Sequence, residues 1–435
     1  MCYRLLETVR AYAAERLEET GEARAVRDRH LGFFLEAAEE AEPGLRTADQ
    51  LRLLAMLDAE RGNLDAALGH AVRAGRERQA LRLFTARLWA WTVRGRGDEA
   101  AGWARAIRAA LGDAAPPGLE LSHTLCVLLA SDGPYASPEA LRVVEESGHP
   151  VALWAWIVGV RPSGGGAEHW RRALGAMRAF GDHEDPWARA TALLMGGIGE
   201  FEYGRAAEAW LREALAGYRA LGERWGLSLA LYWLSLAAEN RGDAVEALTL
   251  LEEAAELAGL IGGVEAVPVP LMLRVRLAQL RARTGDLAGA ERELARAGEA
   301  AGRTKDRVAA ARVRQAAGEV ARRRGELGEA EGLLVEALDL VGGQVGVPAQ
   351  FLATVHVELA RVRAERGDRE AAWRSLRSAL ESSGRAGDET VRAMVLEAVA
   401  EWCAGGGDLS RAALLAGAAR SLRGLELTSR VRSGR

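Results

Sequence analysis

The sequence predicts an all-α solenoid of about ten stacked helical hairpins, and three observations carry the prediction. Six segments align on a shared glycine, at Gly204, Gly242, Gly285, Gly325, Gly367 and Gly407, spaced 38–43 residues apart. Alanine stands five residues after every one of them (Ala209, Ala247, Ala290, Ala330, Ala372, Ala412) and again twelve residues after (Ala216, Ala254, Ala297, Ala337, Ala379, Ala419). A period of this length belongs to repeats built from two helices, each able to bury its apolar face only against its neighbours.

Each position in the repeat has a physical task. Glycine enters the left-handed conformation that ends a helix without a Cβ penalty. The aspartate that follows it in RGD, TGD, RGD and GGD can cap the next helix. Alanines at +5 and +12 fall near one helical face, where small side chains let helices approach closely. Leucine at +9 (Leu251, Leu294, Leu334, Leu376) fills the adjacent core, and a small residue recurs seven before the glycine: Gly197, Ser235, Ala278, Gly318, Ala360 and Ala400.

This grammar resembles the tetratricopeptide repeat (TPR), with its aromatic positions mostly replaced by Leu or Ala and a longer period. The resemblance implies a right-handed superhelical solenoid of degenerate TPR-like hairpins, whose concave face is lined by first-helix residues and binds peptides or proteins. Counted back from the glycines, that face takes Tyr232, Asn240, Gln279, Arg283, Gln315, Glu319, Arg322 and Arg361. Their long polar side chains suit partner recognition.

The regular array covers 191–422. Weaker copies lie at ERGNLDAALGHAVRAG (60–75), keeping Gly62, Ala67 and Ala74, and at RGDEAAGWARAIRAAL (96–111), keeping Gly97 and Ala109. They place N-terminal helical repeats over 23–112. Gly/Pro-rich loops at 113–118, 131–138 and 161–167 make 113–190 the irregular part, with candidate copies around Gly133 and Gly166. Residues 423–435 lack a periodic face and read as a frayed tail.

Composition bounds the function. The chain has 435 residues, 49% hydrophobic and 27% charged, with a formal net charge of −4. This is a folded protein with no overall nucleic-acid signature. Cys2, Cys126 and Cys403 are too scattered for a disulfide framework or CxxC site, so a reducing, cytoplasmic setting is expected. No stretch approaches the ~18 apolar residues of a membrane span. Lys305, the sole lysine, sits in GRTKD without the GxxxxGK[ST] context of a P-loop, and no HExxH or GxSxG occurs. His183, Glu184 and Asp185 bunch in GDHEDPW with His169 fourteen residues away, and read as a polar interhelical loop. Cys126 reads as a small core hydrophobe. The expectation is no catalytic residue, no metal and no cofactor.

Two biased stretches offer alternatives. Ten of twelve tryptophans fall in 89–233, as core filling or as an aromatic pocket for a small molecule. Trp89/Trp91 and Trp154/Trp156 are spaced i, i+2 and cannot share a helical face, so one of each pair is expected at the surface or a helix seam. Residues 274–324 carry fourteen basic and six acidic side chains, as a solvated face or a contact for an anionic partner such as nucleic acid.

The opening words resemble one particular junction. YRLLETVRAYAAERLEETGE (3–22), with Arg29–His30 in RDRH and Glu60, Asn63 and Leu64 in LDAERGNLDAAL, resembles the place where the winged-helix subdomain of a STAND-type signalling ATPase meets its C-terminal sensor repeats. The style is that of actinobacterial transcriptional regulators of the AfsR/SARP type. The resemblance makes 1–22 a winged-helix remnant, with helix from about Thr8. The family's P-loop, Walker B aspartate and DNA-binding elements have no counterpart in these residues. The implied role is a non-enzymatic sensor module that binds a protein or peptide and restrains an ATPase/DNA-binding core, in cis or in trans.

Overall fold

A computed structural model describes residues 7–112, 114–131, 135–157, 161–162, 174–202, 206–261, 268–303, 306–344, 347–386 and 388–423. Tyr3, Leu5, Leu6, Gly133, Gly166, His169, Gly204, Lys305 and the 424–435 tail lie outside them. The chain divides into two compact units, Met1–Ser163 and Gly164–Arg435.

The first unit contains α1 (Glu7–Glu19), α2 (Ala23–Gly44), α3 (Gln50–Ala59), α4 (Arg61–Arg73), α5 (Glu77–Val93), α6 (Gly97–Leu111), α7 (Glu120–Ala130), α8 (Pro138–Glu146) and α9 (Leu153–Ile157). A two-residue parallel pairing joins Tyr135–Ala136 to Arg161–Pro162. Helix α5 is the centre, packed on α2, α4, α6 and α7. It is therefore buried nearly all round: Leu81, Leu83, Phe84, Leu88, Trp89 and Trp91 are all inside. The i, i+2 argument assumed one packed face, so it fails at Trp89/Trp91. Trp154 is buried and Trp156 partly so.

The repeat register here also differs from the expected one. Gly62 and Gly97 lie inside the first turn of α4 and α6, and Ala74 and Ala109 are exposed. The glycines with positive φ here are Gly75 (φ 62°), ahead of α5, and Gly95 (φ 67°), ahead of α6. Counted from Gly95, the buried Ala100, Ala104 and Ile107 fall at +5, +9 and +12. In RGRG the structure uses the earlier glycine.

The second unit begins with α10 (174–179) and continues as six hairpins among the described residues. They are α11 (Pro186–Glu202) with α12 (Glu208–Leu221), α13 (Arg224–Arg241) with α14 (Ala244–Ile261), and α15 (Pro268–Arg283) with α16 (Leu287–Gly302). Then follow α17 (Arg307–Arg323) with α18 (Leu327–Val341), α19 (Ala349–Glu365) with α20 (Arg369–Ala386), and α21 (Glu389–Gly405) with α22 (Leu409–Leu422). Gly242, Gly285, Gly325, Gly367 and Gly407 all have φ between 83° and 95°, as required of helix-ending glycines. Asp243, Asp286, Asp368 and Asp408 each accept a hydrogen bond from the backbone N–H three residues on. The N-cap reading of these aspartates holds.

The alanine seam holds as well. Ala247, Ala254, Ala290, Ala297, Ala330, Ala337, Ala372 and Ala379 are fully buried. The small first-helix slot faces a leucine of the second helix: a Cβ on Gly318 would stand 2.8 Å from Cγ of Leu334, the +9 residue, and one on Gly197 2.8 Å from Cδ2 of Leu211, at +7. The first repeat departs from the pattern. Ala209 and Ala216 are exposed, while Ala207, Leu211, Ala214 and Tyr218 are buried. Slot and leucine are fourteen residues apart in this repeat and sixteen at Gly318/Leu334. The slot and its leucine are two residues closer in sequence here, and the buried positions of α12 fall two residues earlier.

First helices touch one another directly (α15 with α17, α17 with α19, α19 with α21), and second helices make no comparable contact. The first helices thus form the inner layer of this unit. Its ends also meet. Helix α21 packs on α11, and Thr390 Oγ1 donates to the Phe201 carbonyl at 3.2 Å. Arg423 donates to Glu397 at 2.7 Å and to Asn240 Oδ1 at 2.8 Å.

Candidate functional site

The polar face of the inner layer is the candidate site. Gln279 on α15 donates from Nε2 to Gln315 Oε1 on α17, at 3.2 Å, and both side chains are buried. Arg283 donates to Glu239 of α13 at 2.6 Å, and Arg276 reaches the same carboxylate at 2.8 and 2.9 Å. Arg322 spans α17 and α19, bonding Glu358 at 3.2 Å and Glu365 at 2.7 Å. Arg361 bonds Glu358 at 2.7 Å and Glu401 of α21 at 3.0 Å. Glu319 is buried and receives one long bond, 3.4 Å, from Arg323. Tyr232 is half-buried at the α13 end.

Seven of the eight residues expected on this face therefore lie along one ladder across α13, α15, α17, α19 and α21. The eighth, Asn240, is engaged by Arg423 where the unit closes. Sequence reasoning missed Glu239, Arg276, Arg312, Arg323 and Glu358. The signal was there for most of them: Arg276, Arg312 and Glu358 each stand three residues before a chosen residue (Gln279, Gln315, Arg361), one helical turn along the same face.

Burial sets the electrostatics. Burial, and then the Glu358 carboxylate, raise the Glu319 pKa above the ordinary glutamate value. Glu358 feels the same burial, but Arg361 and Arg322 outweigh it and hold that carboxyl low. Burial lowers the pKa of Arg312, and burial together with neighbouring Arg276 lowers that of Arg283. The chemistry on offer is hydrogen bonding and charge recognition.

The other polar groups singled out in the sequence have local roles. His183 Nδ1 accepts from the Asp185 N–H at 3.0 Å, and Asp185 Oδ1 caps α11 through the N–H groups of Trp187 and Ala188. Cys126 is buried, donates to the Ala104 carbonyl, and has its thiol pushed up to about 12 by burial. Among the described residues, no group of three or more His, Cys, Asp or Glu could hold a metal ion, and no helix is long and apolar enough to cross a membrane.

The two biased stretches resolve structurally. Arginines of 274–324 pair with glutamates outside that window: Arg276 and Arg283 with Glu239, Arg281 with Glu252, Arg314 with Glu336, Arg322 with Glu358. The linear excess of positive charge is thus largely offset across neighbouring helices. In the tryptophan-rich stretch, Trp91 Nε1 donates to Glu99 and its ring lies 4.3 Å from the Arg87 guanidinium. Trp154 Nε1 donates to Thr92 Oγ1 at 2.6 Å. The cavity beside Trp91 measures about 20 Å³, room for one water.

No protein-family model matches the chain. Two curated relatives, from Mycobacterium bovis and Mycobacterium tuberculosis and both named as HTH-type transcriptional regulators, are 29% identical over 260 residues, 60% of this chain and 27% of theirs. The chain thus spans about a quarter of the length of those relatives. Among solved structures, a Rap protein complexed with competence and sporulation factor is similar over 79% of this chain and 87% of its own, with a TM-score of 0.55 and 12% identity. At that identity the likeness is one of fold: the chain is a TPR-like helical-repeat protein with relatives named as transcriptional regulators.

Proposed function

We propose that this chain is a non-enzymatic sensor module of a transcriptional regulator, and that the inner polar face of its second unit takes a protein or peptide partner. The observation that carries the reading is the ladder from Tyr232 to Arg361. It presents donors and acceptors along the first helices of five successive hairpins, in an array whose ends are fastened by Arg423 and Thr390. Such a row matches the evenly spaced amides of an extended chain. The Rap protein of similar fold was crystallised with a competence and sporulation factor, and the named relatives are regulators, which fits a sensing role. The wider assignment, a STAND-type regulator of AfsR/SARP style with an ATPase/DNA-binding core in cis or in trans, rests on the opening residues and on LDAERGNLDAAL. The array would act on that core by shifting its population between closed and open states.

The test is a peptide array probed with the purified chain and with a Gln279→Ala/Gln315→Ala variant. Peptides bound by the wild type should be held about tenfold more weakly by the variant, the scale of one or two lost hydrogen bonds in a desolvated site. Equal binding by both would remove the face from the reading, and ATP turnover by the purified chain would overturn the non-enzymatic assignment.

A further inference from the structure

The inner face is not evenly satisfied. Three of its buried side-chain N–H groups find no acceptor: Arg276 Nε, Arg323 Nε and Gln315 Nε2. Every buried side-chain oxygen of the face has a partner among the described residues. The imbalance is one of donors, and an unmatched buried donor calls for an acceptor.

The charges show the same bias. Glu239 is shared by Arg276 and Arg283, and Glu358 by Arg322 and Arg361. Among the described residues Arg312 makes no ion pair at bonding distance, though Asp306 acts on its charge; its guanidinium lies over the Phe351 ring, 5.2 Å from the centroid. Burial raises the pKa of the Tyr232 hydroxyl, which Arg276 and Arg312 oppose and Glu239 reinforces. Arg276 and Arg312 each stand one turn before the glutamine of their own helix, and those two glutamines are bonded to each other. Glu319 is seven residues from Arg312, roughly 10 Å along α17, and its carboxyl acts on Arg276 and Arg283.

We infer that Arg276, Arg312 and Gln315 form an anion-binding site, where a carboxylate or phosphate oxygen of the ligand accepts from the Arg312 guanidinium and Gln315 Nε2. In a peptide partner the group is an acidic side chain or the C-terminal carboxylate. This deepens the reading of the inner face and rests on it. It assigns the ligand's charge and fixes where that charge docks.

Isothermal titration of the full chain with three probes tests it: N-acetyl tetraglutamate amide, its tetraglutamine counterpart, and inorganic phosphate. The tetraglutamate peptide should bind, weaken as salt rises, and weaken about tenfold more in Arg312→Gln. Arg312→Lys, which keeps the charge, should retain most of the binding. The thermal midpoint of Arg312→Gln should not fall, because no ion pair is lost. Tetraglutamine binding as tightly as tetraglutamate, indifferent to Arg312→Gln, would overturn the anion site and leave the peptide reading standing. Phosphate bound with the same sensitivity to Arg312→Gln, with neither peptide bound, would keep the site and overturn the peptide reading. No binding of any probe would overturn both.

Discussion

Gly318→Ala and Gly332→Ala form a matched pair that tests the packing of the α17/α18 hairpin. Both glycines are helical, and both substitutions gain the same intrinsic term, about 1 kcal/mol of helix propensity over glycine. Effects on the unfolded chain are also alike and cancel in the comparison. The surroundings differ. A Cβ on Gly332 meets nothing within 4 Å, so the full gain of about 1 kcal/mol should appear. A Cβ on Gly318 meets Leu334 Cγ at 2.8 Å, Leu334 Cδ2 at 3.1 Å and the Ala330 carbonyl oxygen at 3.2 Å. Leu334 is fully buried and cannot swing aside, and Ala330 O belongs to the α18 backbone. Relief requires the two helices to part by a few tenths of an ångström, and overpacking of this kind costs roughly 1–3 kcal/mol. The net effect of Gly318→Ala should lie between neutral and a loss of about 2 kcal/mol, and the two variants should differ by about 1–3 kcal/mol. Urea unfolding followed by far-ultraviolet circular dichroism measures the difference through the midpoints. A constant slope shows that the array still unfolds as one unit, which repeat proteins do not always do. Gly318→Ala stabilising as much as Gly332→Ala would refute the close approach. Leu334→Ala should cost about 2–5 kcal/mol alone, and adding Gly318→Ala to it should cost less than the sum.

Two further outcomes follow from buried titratable groups. Glu319 has a folded-state pKa above its unfolded value, so the stability it lends is complete below the ordinary glutamate range and is lost as pH rises through the raised value. Glu319→Gln should therefore raise the thermal midpoint at neutral pH, with the gain shrinking as pH falls from the raised value towards 4.5 and gone below it; a gain that grows towards acid pH would show the opposite shift. Cys126 and Cys403 are buried, with the Cys126 thiol pushed up to about 12. In a Cys2→Ser background, a disulfide reagent at mildly alkaline pH should label neither residue until the chain is unfolded; fast native labelling of Cys126 would place that thiol in a reactive setting.

Much of the fold was legible because the repeat is written in conformational requirements that act locally. The five described marker glycines stand where the backbone turns left-handed, and the aspartate after four of them caps the next helix. The candidate face was legible as a row of polar first-helix positions: Gln279 meets Gln315, and Arg322 and Arg361 share Glu358. Its partners were not. Arg283 and Glu239 are 44 residues apart, and Arg322 and Glu365 are 43. Which arginine meets which glutamate depends on the offset between neighbouring helices.

By itself the sequence determined the helices, their ends and the alanine–leucine seam, because 3.6-residue periodicity and a left-handed glycine need no distant partner. Only the tertiary structure decided that α5 is buried on all sides, that the first repeat of the second unit runs two residues early, and that the arginines of 274–324 are largely matched. It alone left Gln315 Nε2, Arg276 Nε and Arg323 Nε without an acceptor among the described residues. Those outcomes depend on which helix lies beside which, and at what rotation. A periodic pattern states that a face is packed; the angle and offset of the neighbour choose the atoms that meet.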